Sequence, residues 1–543
     1  MKKTFIAALL DLQARGSQYE KVDAKIRFEN TLDVLKSLIK GLSLIKPALL
    51  IIEDAHLIDS DTNKFISALP GNSDSFPFLI IATIRTIEDK DFNPFKFDPE
   101  VPEFKIELKA LDKITAEGMV ESFFAGKPSG KLFHHIWNQC LGNPFYIEQI
   151  CLFMIENNSL KEVKGKVDLK SEEIKIPEKI SSIILSRIDH LELHLRDILK
   201  TAAVLGMEVH IEILSRMLRG QKINMACKKL EDENIFVELS SLYYLFKHSL
   251  IWEAVYGIQL KKRLRLLHSI AGEIMEEYYS SRHEIKSHFI DLAFHFEKAG
   301  IINKAKKYLL KAAEKTKDNF HNVEALKLFL KLRSIEKDKQ EILKIDINIA
   351  HIKIIFGKWK ESEKTLKTVI AFAYKSGHLN ELAEAKLTLA NLYYSMSKYS
   401  DGKQLGNDSV SLYRKLKKPL MIGRAFNVLG MLCWKQAQYN DALKNFNEYL
   451  KYSKKENMNP DIARAIFNIG VVNSNLGNRE EALKCYFEVL KYLKTKKEKY
   501  SICNLYGNIG LLYSQQNKFA EAIKYIKKYL KVSIELGSKE HIS

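Results

Sequence analysis

Apolar and polar positions fall into three successive patterns along this chain. Between residues 9 and 45 apolar residues recur at three- and four-residue steps, as in RFENTLDVLKSLIKGLSLI, which predicts helix. Ala48 to Ile52 is a continuous apolar run, ALLII, and it ends in the acidic pair Glu53 and Asp54. Such a run reads as a strand buried on both faces of a parallel sheet. Residues 57 to 70 look helical and stop near Pro70 and Gly71. Phe78 to Ile84, FLIIATI, predicts a second buried strand that ends on Arg85. Strand, helix, strand with short joints is the grammar of a parallel sheet, and Phe104 to Leu111 reads as a third strand. Helical patterning then runs to about residue 160, and the polar stretch KGKVDLKSEE leads to a boundary at Ile176–Pro177. Between 178 and 270 helices mix with a strand pair, Ile235 to Leu239 and Tyr243 to His248, joined by Ser-Ser. Three helices capped by a hairpin is the winged-helix pattern, although an ordinary packing domain would show the same signs.

Beyond residue 285 the pattern is helical throughout, and it repeats. Ala350, Ala390, Gly430, Gly470 and Gly510 are each 40 residues apart, and a small residue follows each after 12: Ser362, Gly402, Ala442, Ala482 and Ala522. Nine after each stands Trp359, Tyr399, Tyr439, Arg479 or Phe519. Small residues at a helix crossing let two backbones approach, and the bulky residue is expected to fill the groove beside them. These helix–turn–helix units resemble tetratricopeptide repeats, with a longer period than the usual ~34. An irregular unit around Ala293 and Ala305, with Leu309 four further on, leads into the array. After Phe519 the second helix is expected to reach Leu536, where SKEHIS begins a further repeat. Solenoids need a polar capping helix, and without one the chain reads as cut at both ends.

Composition narrows the classes. A chain of 543 residues accommodates three to five domains at ~100–200 residues each. Hydrophobic residues at 46% and charged residues at 28% fit a soluble globular protein. The opening MKKTFIAALLDL imitates a signal peptide, but its apolar stretch is short and no small-residue cleavage site follows. No run approaches a membrane span, so a cytoplasmic protein with no membrane partner is expected. The six cysteines form no C-x-x-C pair and read as buried free thiols. Residues 1 to 115 hold 16 Lys and Arg against 18 Asp and Glu, so the net charge of +18 arises downstream. It lies in lysine pairs such as Lys306–Lys307 and Lys527–Lys528. An acidic peptide or protein is the expected ligand, bound with salt-sensitive affinity. Nucleic acid is not, because no aromatic residues interleave the charges.

The chemistry gathers on a few motifs. Carboxylates at the carboxyl end of a buried strand sit where open α/β sheets bind ligands, and there they can hold magnesium and polarise water. No G-x-x-x-x-G-K-[ST] phosphate loop occurs in the 543 residues. ALLIIEDAHLID, FLIIATIR, LGNPFYIEQI and FKHSLIWEAVY nevertheless stand in a fixed order. That order resembles the ATPase module of large bacterial signalling proteins of the STAND class. The module occurs in multidomain adenylate/guanylate cyclases, in serine/threonine and histidine kinases, and in MalT-like LuxR regulators, followed by tetratricopeptide arrays. The resemblance implies that Glu53 holds magnesium and that Asp54 orients or activates water. It makes Arg85 the sensor arginine, whose forked, permanently charged donors suit a γ-phosphate. It places Pro144 of the Gly142-Asn143-Pro144 turn on adenine and His248 on the ADP β-phosphate. The same Gly-Asn-Pro also suits a helix start with proline in its first turn. ATP or ADP with magnesium is the implied cofactor.

The expected architecture is multidomain and mostly α. Residues 1–115 form a truncated P-loop-type α/β ATPase domain, 116–175 a helical lid, 176–284 a winged-helix-like domain and 285–543 a tetratricopeptide solenoid. The leading functional reading is a fragment of a nucleotide-gated signalling switch with a protein-binding arm. Its output domain would lie outside this sequence, and ATP hydrolysis by this chain alone is not expected. The alternatives are a scaffold with a nucleotide-free head, and a DNA-binding regulator.

Overall fold

The structure is a computed structural model that describes residues 5–7, 24–70, 76–84, 95, 97, 101–163, 165–170, 179–219, 223–496 and 499–536. The chain divides into two compact units, one holding Met1–Val101 with Leu310–Ser543 and the other Pro102–Leu309.

The first unit opens with α1 (Ala24–Ile45), β1 (Ala48–Ile52), α2 (Ser60–Ala68) and β2 (Phe78–Ala82). β1 and β2 pair in parallel, from Ala48 opposite Phe78 to Ile52 opposite Ala82, as the strand–helix–strand reading expects. Asp59 caps α2 by accepting from the backbone N–H groups of Asp61 and Thr62. Burial alone would raise its pKa, but these bonds and that from the Thr62 hydroxyl prevail and lower it. Continuous burial of both strand faces is not what forms. Leu50, Ile52 and Ile80 pack with Ala55, Ile66 and Phe95, whereas Leu49, Ile51, Leu79 and Ile81 are exposed. Side chains alternate across a sheet, and α2 covers one side only.

In the second unit, residues 102–111 lie outside any helix or strand, so the third strand expected from Phe104 is absent. Its alternating pattern is suited to a strand, but alternation sets only which way the side chains would face and does not by itself make a ladder. A helical group follows: α3 (Lys113–Phe124), α4 (Gly130–Cys140) and α5 (Pro144–Glu156). They enclose Val120, Leu132, Ile136, Ile147 and Met154. A hairpin, β3 (Leu160–Val163) with β4 (Lys166–Leu169), takes up part of the polar stretch before Ile176. The boundary expected at Ile176–Pro177 lies outside the described residues. Next come α6 (Ile180–His190), α7 (Leu193–Leu205), β5 (Glu208–His210), α8 (Ile211–Met217) and α9 (Ile223–Asp232). The expected hairpin forms as β6 (Phe236–Ser240) and β7 (Tyr243–Phe246), and β5 joins it in the antiparallel order β5-β7-β6. α10 (Ser249–Gly257), α11 (Lys261–Ser281) and α12 (Phe289–Ala299) complete the group. Between α11 and α12 lies a buried polar chain: Tyr256 Oη is 2.9 Å from His268 Nε2, and His268 Nδ1 is 3.0 Å from His295 Nδ1.

α13 (Ile302–Asp318) and α14 (Asn322–Ile335) lead into five helix pairs. These are α15 (Lys339–Ile355) with α16 (Trp359–Ser376), and α17 (Leu379–Ser395) with α18 (Tyr399–Lys415). Then come α19 (Pro419–Lys435) with α20 (Tyr439–Lys455), and α21 (Asn459–Asn475) with α22 (Arg479–Lys496). The last pair is α23 (Lys499–Gln515) with α24 (Phe519–Leu536). The small residues lie at the crossings as expected. A Cβ on Gly430 would stand 2.6 Å from the Phe446 ring, and one on Gly470 2.8 Å from Tyr486. Ser362 donates to the Ala350 carbonyl across the same approach, at 3.1 Å. The middle residue of each turn within a pair has φ between 56° and 82°: Gly357, Ser397, Ala437, Gly477 and Asn517.

The bulky residue nine places on is the first residue of each second helix, and its expected role is met in part of the array. Tyr399 and Tyr439 are half-buried and pack against the clusters around Ala390 and Ala442, as expected. Trp359 and Phe519 are 40% and 60% exposed; helical side chains lean toward the N-terminus, and these two project past the helix end. Of the cysteines, all are free and all but Cys485 are buried. Among the described residues no helix is long and apolar enough to cross a membrane.

Candidate functional site

Three places carry the candidate chemistry. The first is the turn after β1. Asp54 takes the left-handed conformation, φ 49°, and its N–H donates to Thr83 Oγ1 at 2.9 Å, while the Ala55 N–H donates to the Thr83 carbonyl at 2.8 Å. The acidic pair is thereby fixed beside the end of β2, at the carboxyl edge of the parallel strands, where the sequence placed it. Glu53 is exposed. Arg85 lies outside the described residues. Among the described residues no three His, Cys, Asp or Glu gather as metal ligands. Two carboxylates suit the magnesium side of a nucleotide site, but the sequence has no phosphate-cradling loop to accompany them. The same unit links α2 to the start of α14, where His321 Nδ1 lies 2.6 Å from Asp61 Oδ2.

The second place is the start of α5. Gly142 has φ +80°, and a Cβ there would stand 2.3 Å from the Leu111 carbonyl, so only glycine fits. Asn143 caps α5 by accepting from the N–H groups of Phe145 and Tyr146, with Pro144 exposed in the first turn. The helix-start reading of Gly-Asn-Pro is thus realised. His248 is brought to the same spot: its ring meets that of Phe145 edge-on, centroids 4.4 Å apart, and Nε2 lies 3.9 Å from Glu148 Oε2. Partial burial lowers the His248 pKa against the pull of Glu148. Pro144 and His248 therefore share one neighbourhood, whereas Glu53 and Asp54 belong to the other compact unit.

The third place was not singled out from the sequence. The first helices of successive pairs are joined by polar rungs. Gln340 Nε2 donates to Glu381 Oε1 at 3.1 Å, Asn468 Nδ2 to Asn427 Oδ1 at 2.8 Å, and Trp434 Nε1 to Asn475 Oδ1 at 2.7 Å. Each rung spans 41 residues, one more than the period. Asp461 accepts from Tyr449 Oη at 2.7 Å and from Arg424 Nε at 3.4 Å. Glu381 holds the place of Asp461 two repeats earlier, and there the cluster is incomplete. Glu381 Oε2 and Tyr413 Oη are buried and have no hydrogen-bond partner among the described residues. Beside them, partial burial raises the pKa of Glu384 while Lys317, Lys418 and Lys344 draw it down. Lys344, Glu384, Arg424 and Arg464 each stand six residues before a small crossing residue, so they recur along one row of first helices. Residues 310–543 carry 42 Lys and Arg against 24 Asp and Glu, which is the whole net charge of the chain. Polar residues recurring at 41 were the available signal for this ladder; apolar periodicity does not reveal it.

Comparison with known proteins agrees on the repeats. A tetratricopeptide repeat model matches residues 504–533. The model for anaphase-promoting complex subunit 5 matches 311–396 and 427–503. An uncharacterized protein of Rhizobium meliloti (strain 1021) is 23% identical over 326 residues, covering 58% of this chain and 30% of its own length. The chain thus spans under a third of that curated relative. Among solved structures, a STAND protein with a tetratricopeptide repeat sensor from Pyrococcus horikoshii aligns with 94% of this chain and 77% of its own. Its TM-score is 0.39 and its identity 12%. A Rap protein complexed with Competence and Sporulation Factor aligns with 66% of this chain and 99% of its own, TM-score 0.34, identity 10%. The carboxyl-terminal array is a set of tetratricopeptide-like helical repeats.

Proposed function

We propose that residues 310–543 form an arm that holds an acidic protein or peptide segment along the row of first helices. The arm belongs to a STAND-type signalling protein in which nucleotide state regulates binding. The observation that carries the reading is the confinement of the entire +18 charge to the repeat array. The arginines of the row support it: Arg424 is half-exposed and Arg464 is exposed, so both can pair with the carboxylates of a bound peptide. Fluorescence anisotropy of a labelled oligo-glutamate decapeptide with the full chain tests this. Binding that weakens at least about tenfold in high salt and in Arg424→Glu/Arg464→Glu is expected. Equal binding of a Gly-Ser decapeptide, or indifference to the double substitution, overturns it.

A second reading concerns the other unit. The packing of Phe145 on His248 beside an exposed Pro144 favours a site for a nucleotide base and diphosphate at the start of α5. Calorimetric titration with ADP and magnesium should then lose its signal in His248→Ala. The winged-helix arrangement of α7 to β7 is part of the same reading.

A further inference from the structure

The groove between α6 and α10 belongs to neither reading above. Ile180, Ile184 and Leu185 of α6 face Leu250 and Ile258 of α10 across an open space of about 290 Å³. Gly257, the last residue of α10, lines the same space. Its φ is not positive, and an added Cβ would meet nothing within 4 Å, so neither the backbone nor the packing calls for glycine there. What the missing side chain does is keep the groove open. Just past Ile258 the chain enters α11, with Lys261, Lys262 and Arg263 in its first turn and Arg265 following, all exposed. Arg263 reaches Asp197 at 3.1 Å, whereas among the described residues no carboxylate pairs with Lys261, Lys262 or Arg265. Cations in a first turn oppose the helix dipole, and Leu260 caps that turn without a side-chain hydrogen bond. The cluster therefore does not serve the stability of α11. Leu260 and Leu266, 77% and 61% exposed, stand among its charges.

We propose that this groove takes the apolar face of an acidic amphipathic helix from a protein partner. Such helices lay their apolar residues into grooves of this kind. The partner's apolar side chains enter between α6 and α10 beside Gly257, and its carboxylates lie on Lys261, Lys262 and Arg265. Glu253 lines the groove between Leu250 and Gly257. Like charges juxtaposed across an interface are unfavourable, so the partner's acidic residues are confined to the α11 end of its apolar face. A concave space bounded by two helices is shaped for inserted side chains, which favours a protein helix over a lipid surface.

Fluorescence anisotropy of the full chain with a labelled amphipathic helical peptide, leucines on one face and glutamates on the other, tests the proposal. Arg424→Glu/Arg464→Glu serves as the parent throughout, which removes the pull of the array on the probe and makes the outcome independent of the array's own reading. Saturable binding is expected, with amides of 180–185 and 250–258 protected from hydrogen exchange by the peptide. Gly257→Trp fills the groove, and Lys261→Glu/Lys262→Glu/Arg265→Glu reverses its charged end. Each should weaken binding at least about tenfold, while Gly257→Ala, which leaves the space open, retains it. The charge reversal lies on exposed residues and suits the dipole of α11, so it decides the matter if circular dichroism shows that tryptophan disturbs the fold. Binding indifferent to a folded Gly257→Trp or to the charge reversal, or protection that falls elsewhere on the chain, overturns the proposal. So does absence of peptide binding, whether or not the chain sediments with phosphatidylglycerol vesicles.

Discussion

Replacing Gly430 by alanine puts a number on the close approach within α19 and α20. The added methyl would stand 2.6, 2.7 and 2.9 Å from Cε1, Cδ1 and Cζ of Phe446. Carbon atoms rest at about 3.5–4.0 Å, so the ring must retreat by roughly 1 Å. Phe446 is buried among Cys433, Ala442 and Val472, so its retreat disturbs a packed cluster. Overpacking of this kind costs about 1–3 kcal/mol, against which alanine gains about 0.5–1 kcal/mol over glycine in a helix. The net expectation is about 1–2 kcal/mol of local destabilisation. Gly118 in α3 is the control, since a Cβ there meets nothing within 4 Å. Gly118→Ala should stabilise its helix by about 0.5–1 kcal/mol. A chain with two compact units gives no single unfolding transition, so native-state hydrogen exchange read by mass spectrometry is the assay. At about 1.4 kcal/mol per tenfold, exchange in α19 and α20 should quicken about 5- to 30-fold in Gly430→Ala. It should slow in α3 of Gly118→Ala. Unchanged or slower exchange around Gly430 would refute the crossing geometry.

Two other outcomes follow from the geometry. Burial lowers the pKa of both His268 and His295, reinforced at His268 by His295 and then Lys298 and opposed at His295 by Asp291. The folded chain therefore binds fewer protons than the unfolded chain below about pH 6.5. Stability is full above that value and falls as the pH drops toward the folded values, by up to about 1.4 kcal/mol per pH unit for each histidine. Exchange in α11 and α12 should quicken from about pH 6.5 to 5, with a shallower slope in His295→Gln; equal slopes would exclude this origin. Ala437 sits at φ +56° where the equivalent turns at 357 and 477 use glycine. Ala437→Gly should slow exchange at the α19–α20 turn by a gain of about 0.5–1 kcal/mol, the relief of left-handed strain less the added unfolded-chain entropy. Faster exchange would contradict it.

The repeat was legible because its determinant is steric and local. Gly430, Gly470, Ala442 and Ala482 are small for a reason that a single crossing imposes, and the reason recurs every 40 residues. β6 and β7 were legible from two apolar runs around a two-residue joint. β5 was not, because three residues, Glu-Val-His, are too few to show alternation. The β3–β4 hairpin hid in a stretch whose lysines outweigh Val167 and Leu169, although Gly165 at φ +74° marks its turn. Segment 103–109 showed the converse: alternation announces a strand's faces but does not supply its neighbour. The strand that ends before Glu53 and Asp54 was legible from one apolar run. The meeting of Phe145 with His248 depends on two segments about a hundred residues apart, which no local pattern encodes. The rungs left only a weak signal, a few residues spaced 41 apart among many exposed polar positions.

Close packing runs through every joint of the array, inside pairs and between them. Inside a pair Gly430 lies against Phe446, and between pairs a Cβ on Gly406 would stand 2.7 Å from Leu429, so movement at either joint meets steep repulsion. The rungs, Asn427 with Asn468 and Trp434 with Asn475, add directional polar bonds to that packing. A bending load on the array would therefore be shared by successive helices and not collected at one joint. Pitch would then change through small, additive rotations, and an extended partner would be fitted by the whole row adjusting along its length.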